Sequence, residues 1–135
     1  MPAEGAGVMD AVRAYLEAGK SRDIAALRSM HSADPAFSSF SDVPPYGMHD
    51  AETTSVLEEM RLAAISDYGY RVSDERVMVR GEMAVAAFTL EQSGMLVDNK
   101  TFSGESVTTV SRATFVLVRE GTWKVAHMHV SRVPG

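Results

Sequence analysis

Residues 121–131, Gly-Thr-Trp-Lys-Val-Ala-His-Met-His-Val-Ser, constrain the fold more than any other stretch of the chain. A turn glycine is followed by a tryptophan and then by two histidines separated by one residue. In a strand, alternate side chains share a face. Trp123, Val125, His127, His129 and Ser131 are therefore expected in one row, and Lys124, Ala126, Met128 and Val130 in the other. A single bulge in the strand would reverse that parity.

The rest of the chain divides into a helical half and a strand half. Val8, Val12, Tyr15 and Leu16 recur at helical spacing, and Gly19 is a stop signal. A second, short helix begins after Ser21, with Asp23 in its first turn and Ile24, Leu27 and Met30 on its apolar face. A short strand is expected over residues 36–40. The prolines at 44 and 45 make the following segment a loop. A third helix is expected over residues 50–65, with Val56, Leu57, Met60 and Ala64 inward. Strands follow over 70–79, 83–92 and 107–119, then the last one, with turn signals at Ser93-Gly94 and Asp98-Asn99.

The order α-α-β-α-β-β-β-β gathers helices on one side of an antiparallel sheet, which is the α+β class. Long consecutive strands twist, and glycines such as Gly94 and Gly104 can accompany bulges that bend them. A curved, cone-shaped antiparallel or mixed sheet with three helices in the N-terminal half is expected. At 135 residues, without repeat or long linker, the chain reads as one domain over 1–135.

Composition excludes several classes of function. Lys plus Arg is 13 against 18 Asp plus Glu, and the cations are scattered among acids. No basic cluster exists to neutralise a phosphate backbone, so neither a nucleic acid nor an anionic membrane surface is an expected partner. No run of about 18 apolar residues predicts a membrane span. The start, Met-Pro-Ala-Glu-Gly, lacks the features of a signal peptide, and there is no cysteine. A cytoplasmic setting is expected. Neither Gly-x-Ser-x-Gly, Gly-x-Gly-x-x-Gly nor a phosphate-binding loop occurs, and no cofactor is expected.

The element order together with Trp-Lys-Val-Ala-His-Met-His-Val-Ser at 123–131 resembles the nuclear-transport-factor-2-like superfamily, a cystatin-like roll. Within it the chain is most similar to the SnoaL-like group, which also resembles the association domain of calcium/calmodulin-dependent kinase. Other matching pieces are residues 27–37, Gly47, residues 80–84 and Arg112-Ala113-Thr114. The resemblance implies a conical pocket and either acid/base chemistry on a small molecule (isomerase, hydratase or cyclase) or a non-catalytic association module. Ketosteroid-isomerase-like members carry a carboxylate base on the short strand after the second helix. Here that strand reads Ala-Phe-Ser-Ser-Phe, with no carboxylate until Asp42, a departure that argues against steroid isomerisation. Kinase association domains carry arginines on the last strand and its partner, where this chain has Val130 and Thr114.

His127 and His129 are the candidate catalytic residues, since imidazole titrates near neutrality. As a pair they could also ligate a metal. A third ligand would have to come from His31, His49, Asp34 or Asp42, and no spacing demands it, so no metal is expected. The same histidines read equally as structural groups or as part of a subunit contact. Tyr15, Tyr46, Trp123, His31, Thr114 and Arg112 are candidate ligand-binding residues. Tyr15 and Trp123 are amphipathic and also suit a core, His31 suits a helix C-terminus, and Arg112 could pair with Glu105. Met83, Met95 and Met128 could wall an apolar pocket. The strands over 83–92 and 107–119 carry apolar residues on both faces, which the helices can cover only on one. A homodimer through the other face is expected.

Overall fold

A computed structural model describes residues 3–41, 45–98 and 103–133. Asp42, Pro44 and Asn99 lie outside the described residues. The elements are α1 (Ala3–Lys20), α2 (Ile24–Ser29), β1 (Ser38–Phe40), β2 (Met48–His49), α3 (Ala51–Ala63), β3 (Ile65–Arg80), β4 (Met83–Asp98), β5 (Ser103–Glu120) and β6 (Thr122–Arg132). They build one curved, unclosed sheet in the order β2-β1-β6-β5-β4-β3. All pairs are antiparallel except β1 with β6, which run parallel. This is the expected α+β roll, with β2 as an additional short edge strand. No helix of the described residues is long and apolar enough to cross a membrane.

The inner face of the sheet carries the core. Ala84, Ala86, Phe88 and Leu90 of β4 alternate inward, beside Ala113, Phe115 and Leu117 of β5 and Val125 and Met128 of β6. The predicted stripe of α1 (Val8, Val12, Tyr15 and Leu16) is buried with them in one cluster. Asp23 caps α2 by accepting from the Ala26 amide at 3.1 Å, and Asp50 caps α3 by accepting from the Thr53 amide at 2.8 Å. Capping carboxylates satisfy amides that the first helical turn leaves free.

Helix α3 departs from the sequence reading. Val56 is 41% exposed and Met60 is 64% exposed, whereas Thr54, Ser55 and Leu62 are buried. The helix turns a mixed polar stripe inward and leaves two apolar side chains in solvent, because the space it faces is a cavity with polar groups among apolar walls rather than a close-packed core. The reading of Ser93-Gly94 as a turn also gives way. Strand β4 runs straight through it, and Gly94 pairs with Val107.

Three register shifts bend the sheet. In β3, Asp67 and Tyr68 together face the single residue Gly94, and Asp74 and Glu75 face Phe88. Asp67 and Asp74 hold positive φ (54° and 53°), a region aspartate tolerates better than most side chains. In β6, Ala126 is the extra residue between the pairs Val125–Leu117 and His127–Val116. A bulge of this kind bends a strand and switches the facing of the residues beyond it. The expected single row is therefore broken. Trp123 and Val125 share the inner face with Met128 and Val130, while His127, His129 and Ser131 turn outward. The suggested pair of Arg112 with Glu105 does not form across strands, since both sit on β5. The cross-strand ion pair on this part of the sheet is Arg71–Glu91 at 3.2 Å, between register partners of β3 and β4.

Gly94 gives the first test. A β-carbon there would stand 2.5 Å from Ile65 Cγ2 and 3.1 Å from the Ser66 carbonyl oxygen. The second contact is backbone and cannot swing away. Gly94→Ala is expected to lower stability by about 1–3 kcal/mol through overpacking at the bulge, read as a lower midpoint in urea denaturation.

Candidate functional site

Between the helices and the inner face of the sheet lies a cavity of about 380 Å³. Its floor is β4, β5 and β6: Leu90 and Gln92, Thr109 and Phe115, Met128 and Val130. Its roof is Tyr15 and Leu16 of α1 with Thr54, Leu57, Glu58 and Arg61 of α3. Phe115, almost fully buried, marks the deep end, while Leu96, 42% exposed, marks the mouth together with Ile65 and Val107. Concave, mostly apolar cavities with a few convergent polar groups are the usual form of a small-molecule site.

The polar groups form three clusters. The first is a buried chain at the deep end. Tyr15 Oη lies 2.8 Å from His31 Nε2, and His31 Nδ1 lies 3.3 Å from Ser55 Oγ. His31 does not itself line the cavity; it stands behind Tyr15, with its ring 4.7 Å from that of Phe37. Its backbone is fixed by a parallel bridge to Val125, flanked by hydrogen bonds from the Ser32 amide to the Val125 carbonyl (2.7 Å) and from the Val125 amide to the Met30 carbonyl (2.8 Å). Glu120 secures the same segment, accepting from the Ser32 hydroxyl and from the Ala33 amide at 3.1 Å. Burial holds the His31 pKa at about 4, with Glu58 opposing that shift and Arg28 adding to it. The imidazole is thus neutral at physiological pH. Burial, reinforced by Glu58 and opposed by Arg61, lifts the Tyr15 phenol well above its ordinary range.

The second cluster is an ion pair on α3. Arg61 reaches back one turn to Glu58 with Nε at 3.3 Å and Nη2 at 2.8 Å from the two carboxylate oxygens. Burial works against the guanidinium charge, but Glu58 and the Tyr68 hydroxyl outweigh it and raise its pKa. The guanidinium sits 5.4 Å from the centre of the Tyr68 ring, a cation–π distance. Tyr68 in turn donates to Gln92 Oε1 at 2.7 Å. Its phenol is raised by burial, with Arg61 pulling it back and Glu58 pushing it further up. The third cluster joins Ser39 Oγ to Thr54 Oγ1 at 2.7 Å, where β1 meets α3.

The candidates read from sequence fall in different places. Tyr15 lines the cavity and His31 supports it. His49 also lines the cavity, donating from Nε2 to the Pro45 carbonyl at 3.0 Å. Tyr46 is 70% exposed and does not line the cavity. Trp123 is on the inner side but at the far end of the sheet, where the Arg119 guanidinium lies 4.5 Å from its ring centre and Gly7, Ala11 and Met30 pack around it. Arg112 and Thr114 face outward, in register with Ser131 and His129. Both histidines of β6 are on that outer face. His127 Nδ1 is 2.8 Å from Ser38 Oγ, and Phe40 packs against both rings at 6.0 and 5.4 Å. Among the described residues, no group of three or more His, Asp or Glu side chains gathers in a way that could hold a metal.

Sequence reading passed over Glu58, Arg61, Tyr68 and Gln92. A signal existed in α3: counted from the cap at Asp50, Thr54, Glu58 and Arg61 fall at helical spacing on one stripe. That stripe is polar, and a search for an apolar inward face discards it.

His31 makes stability depend on pH in a defined direction. Its folded pKa, about 4, lies below the ordinary value of 6.5. Between those values the unfolded chain takes up a proton that the folded chain refuses. The contribution is therefore complete above pH 6.5 and lost as pH falls toward 4. The protein should lose about 3 kcal/mol more across this window than His31→Gln does, measured as denaturation midpoints at a series of pH values. Parallel curves for the two proteins would show that His31 is not held neutral.

Comparison with known proteins agrees with this geometry. A family model described as SnoaL-like domain matches residues 8–134. Among solved structures, a proposed dehydratase of the NTF2-like family from Streptomyces avermitilis superposes with a TM-score of 0.83 at 20% identity, covering 100% of both chains. A ketosteroid isomerase-like protein from Erwinia carotovora atroseptica gives 0.73 at 16% identity, covering 98% of each. The CaMKII hub of S. rosetta gives 0.74 at 19% identity, covering 96% of each. These likenesses show the NTF2-like fold. No curated protein matches the sequence. With residues 8–134 matched and every element of the roll in place, the chain belongs to the SnoaL-like domain family.

Proposed function

We propose that the protein binds a small, largely apolar molecule in its cone and acts on it by cofactor-free proton transfer of the isomerase, hydratase or cyclase kind. The observation that carries this reading is the cavity of about 380 Å³ whose apolar walls enclose Tyr15 and the Glu58–Arg61 pair. Glu58 is the carboxylate available to take a proton, and Tyr15, held as a phenol, is the group to hold the polar end of the ligand. His127 and His129 serve this chemistry poorly, because neither lines the cavity. The names of two similar structures, a dehydratase and a ketosteroid isomerase-like protein, are compatible with such chemistry. A cytoplasmic setting belongs to the same proposal.

Ligand binding is tested by thermal unfolding in the presence of apolar compounds of bicyclic size. Those that bind should stabilise by about 2–3 kcal/mol at a hundredfold excess over their Kd. Leu57→Trp, which fills the cavity from α3, should abolish the effect. A wild-type melting curve unmoved by the whole set would count against the cavity as a site.

A second role, association between copies, rests on the outer face of the sheet. Met83, Val85 and Val110 are exposed there, with Phe40 and Met48 at its edge. Helices cover only the inner face, and apolar side chains on an uncovered sheet face suit a contact with a second copy. The S. rosetta hub shares the fold. We assign a homodimer through this face. Light scattering at high micromolar concentration should give twice the chain mass, and Val85→Arg should give the monomer. A wild-type monomer would reject the assignment.

A further inference from the structure

Each hydroxyl group has one proton to donate and two lone pairs that accept. Of the seven hydroxyl-bearing side chains that line the cavity, Tyr15, Ser39, Thr54 and Tyr68 have their protons committed inside the protein.

For Tyr15 the commitment is set two residues away. Ser55 Oγ lies 3.0 Å from the Ala51 carbonyl oxygen, which can only accept, so the Ser55 proton points there. The 3.3 Å contact between Ser55 Oγ and His31 Nδ1 then needs its proton from the imidazole. A neutral imidazole has a single N–H, so Nε2 is bare. The 2.8 Å contact at Nε2 must therefore be filled by the Tyr15 O–H. The same reasoning applies to Ser39. Thr54 Oγ1 donates to the Asp50 carbonyl at 2.7 Å, which leaves the Ser39 hydroxyl as donor in its 2.7 Å contact with Thr54. Tyr68 donates to Gln92 Oε1 at 2.7 Å. What Tyr15, Ser39 and Tyr68 have left is lone pairs, and the Glu58 carboxylate is also an acceptor; the donors of this wall, the Gln92 amide and the Arg61 guanidinium, lie beside Tyr68.

We infer that the Tyr15 and Ser39 end of the cone selects ligands that enter with a hydrogen-bond donor: an apolar body carrying an alcohol or phenol hydroxyl, directed at the acceptors of Tyr15 and Ser39. A ketone or an ether would set lone pair against lone pair at the same place. Ser55 and His31 are positioning residues in this scheme, because they decide which way the Tyr15 proton points. The inference rests on the cavity being a binding site, and its test separates the two claims.

The test is isothermal titration of the whole protein with naphthol, methoxynaphthalene and acetylnaphthalene, which share an apolar body and differ in donor capacity. Naphthol should bind about tenfold more tightly than the other two, the worth of one net hydrogen bond. Tyr15→Phe should cut that advantage to about threefold or less while leaving methoxynaphthalene within about twofold of its wild-type affinity. Ser39→Ala should reduce the advantage independently, and it carries the test should Tyr15→Phe fail to fold by circular dichroism. Ser55→Ala frees the imidazole to take its other tautomer and should shift preference toward acetylnaphthalene, a change that a merely structural serine would not produce. Equal or tighter binding of acetylnaphthalene by the wild type overturns the inference and leaves the binding site standing. So does a naphthol advantage that survives in both Tyr15→Phe and Ser39→Ala. Failure of all three compounds to bind overturns the cavity as a site, and the inference with it.

Discussion

The ion pair between Glu58 and Arg61 sits on the apolar side of the sheet, where charge is costly unless it is closely matched. Both guanidinium contacts are made within one turn of α3, to separate carboxylate oxygens, and the Tyr68 ring covers the cation. Such forked geometry fixes the pair, whose side chains are 30% and 24% exposed, at the wall of the cavity. The surroundings conform to it: Gln92 on β4 holds Tyr68, and the Asp67–Tyr68 bulge in β3 turns that tyrosine inward over the guanidinium. Gly94 leaves room for the bulge, so a residue without a side chain on one strand sets the position of a side chain on the next.

The parts of the structure that follow simple periodicity were readable from the sequence. In α1 every position of the predicted stripe is buried, because the helix packs its whole apolar face into the cluster formed by the inner side of the sheet. The strand half was readable for the same reason, since β4 and β5 alternate against that core. Periodicity failed at α3. Its inward residues answer to the cavity, so Thr54, Ser55, Glu58 and Arg61 occupy the face that packing alone would give to Val56 and Met60. The departure from pattern coincides with the candidate site, as expected where binding groups are held at some cost to stability.

The strand ends show a second limit. Turn signals at Ser93-Gly94 shortened β4 in the sequence reading, although the glycine is there to admit the β3 bulge rather than to turn the chain. A glycine inside a strand means either a turn or a close approach, and sequence alone does not separate the two. His31 is a related case. Its identity marks it as a candidate, but its partners come from α1 and α3, which no local spacing relates to it.

The bulge at Ala126 divides the labour of the last strand. Before it, Trp123 and Val125 pack inward; after it, Met128 and Val130 do so, and the histidines between and beyond them turn out. Without the extra residue, His127 and His129 would enter the apolar cone in place of Met128 and Val130, beside Phe115. The outer face offers His127 the Ser38 hydroxyl and both rings the edge of Phe40. One added residue thus leaves the cone to Tyr15, Glu58 and Arg61 and places both imidazoles on the surface that a second copy of the chain would cover. The two faces of a single sheet come to differ in chemistry, with a largely apolar cavity within and the histidines without.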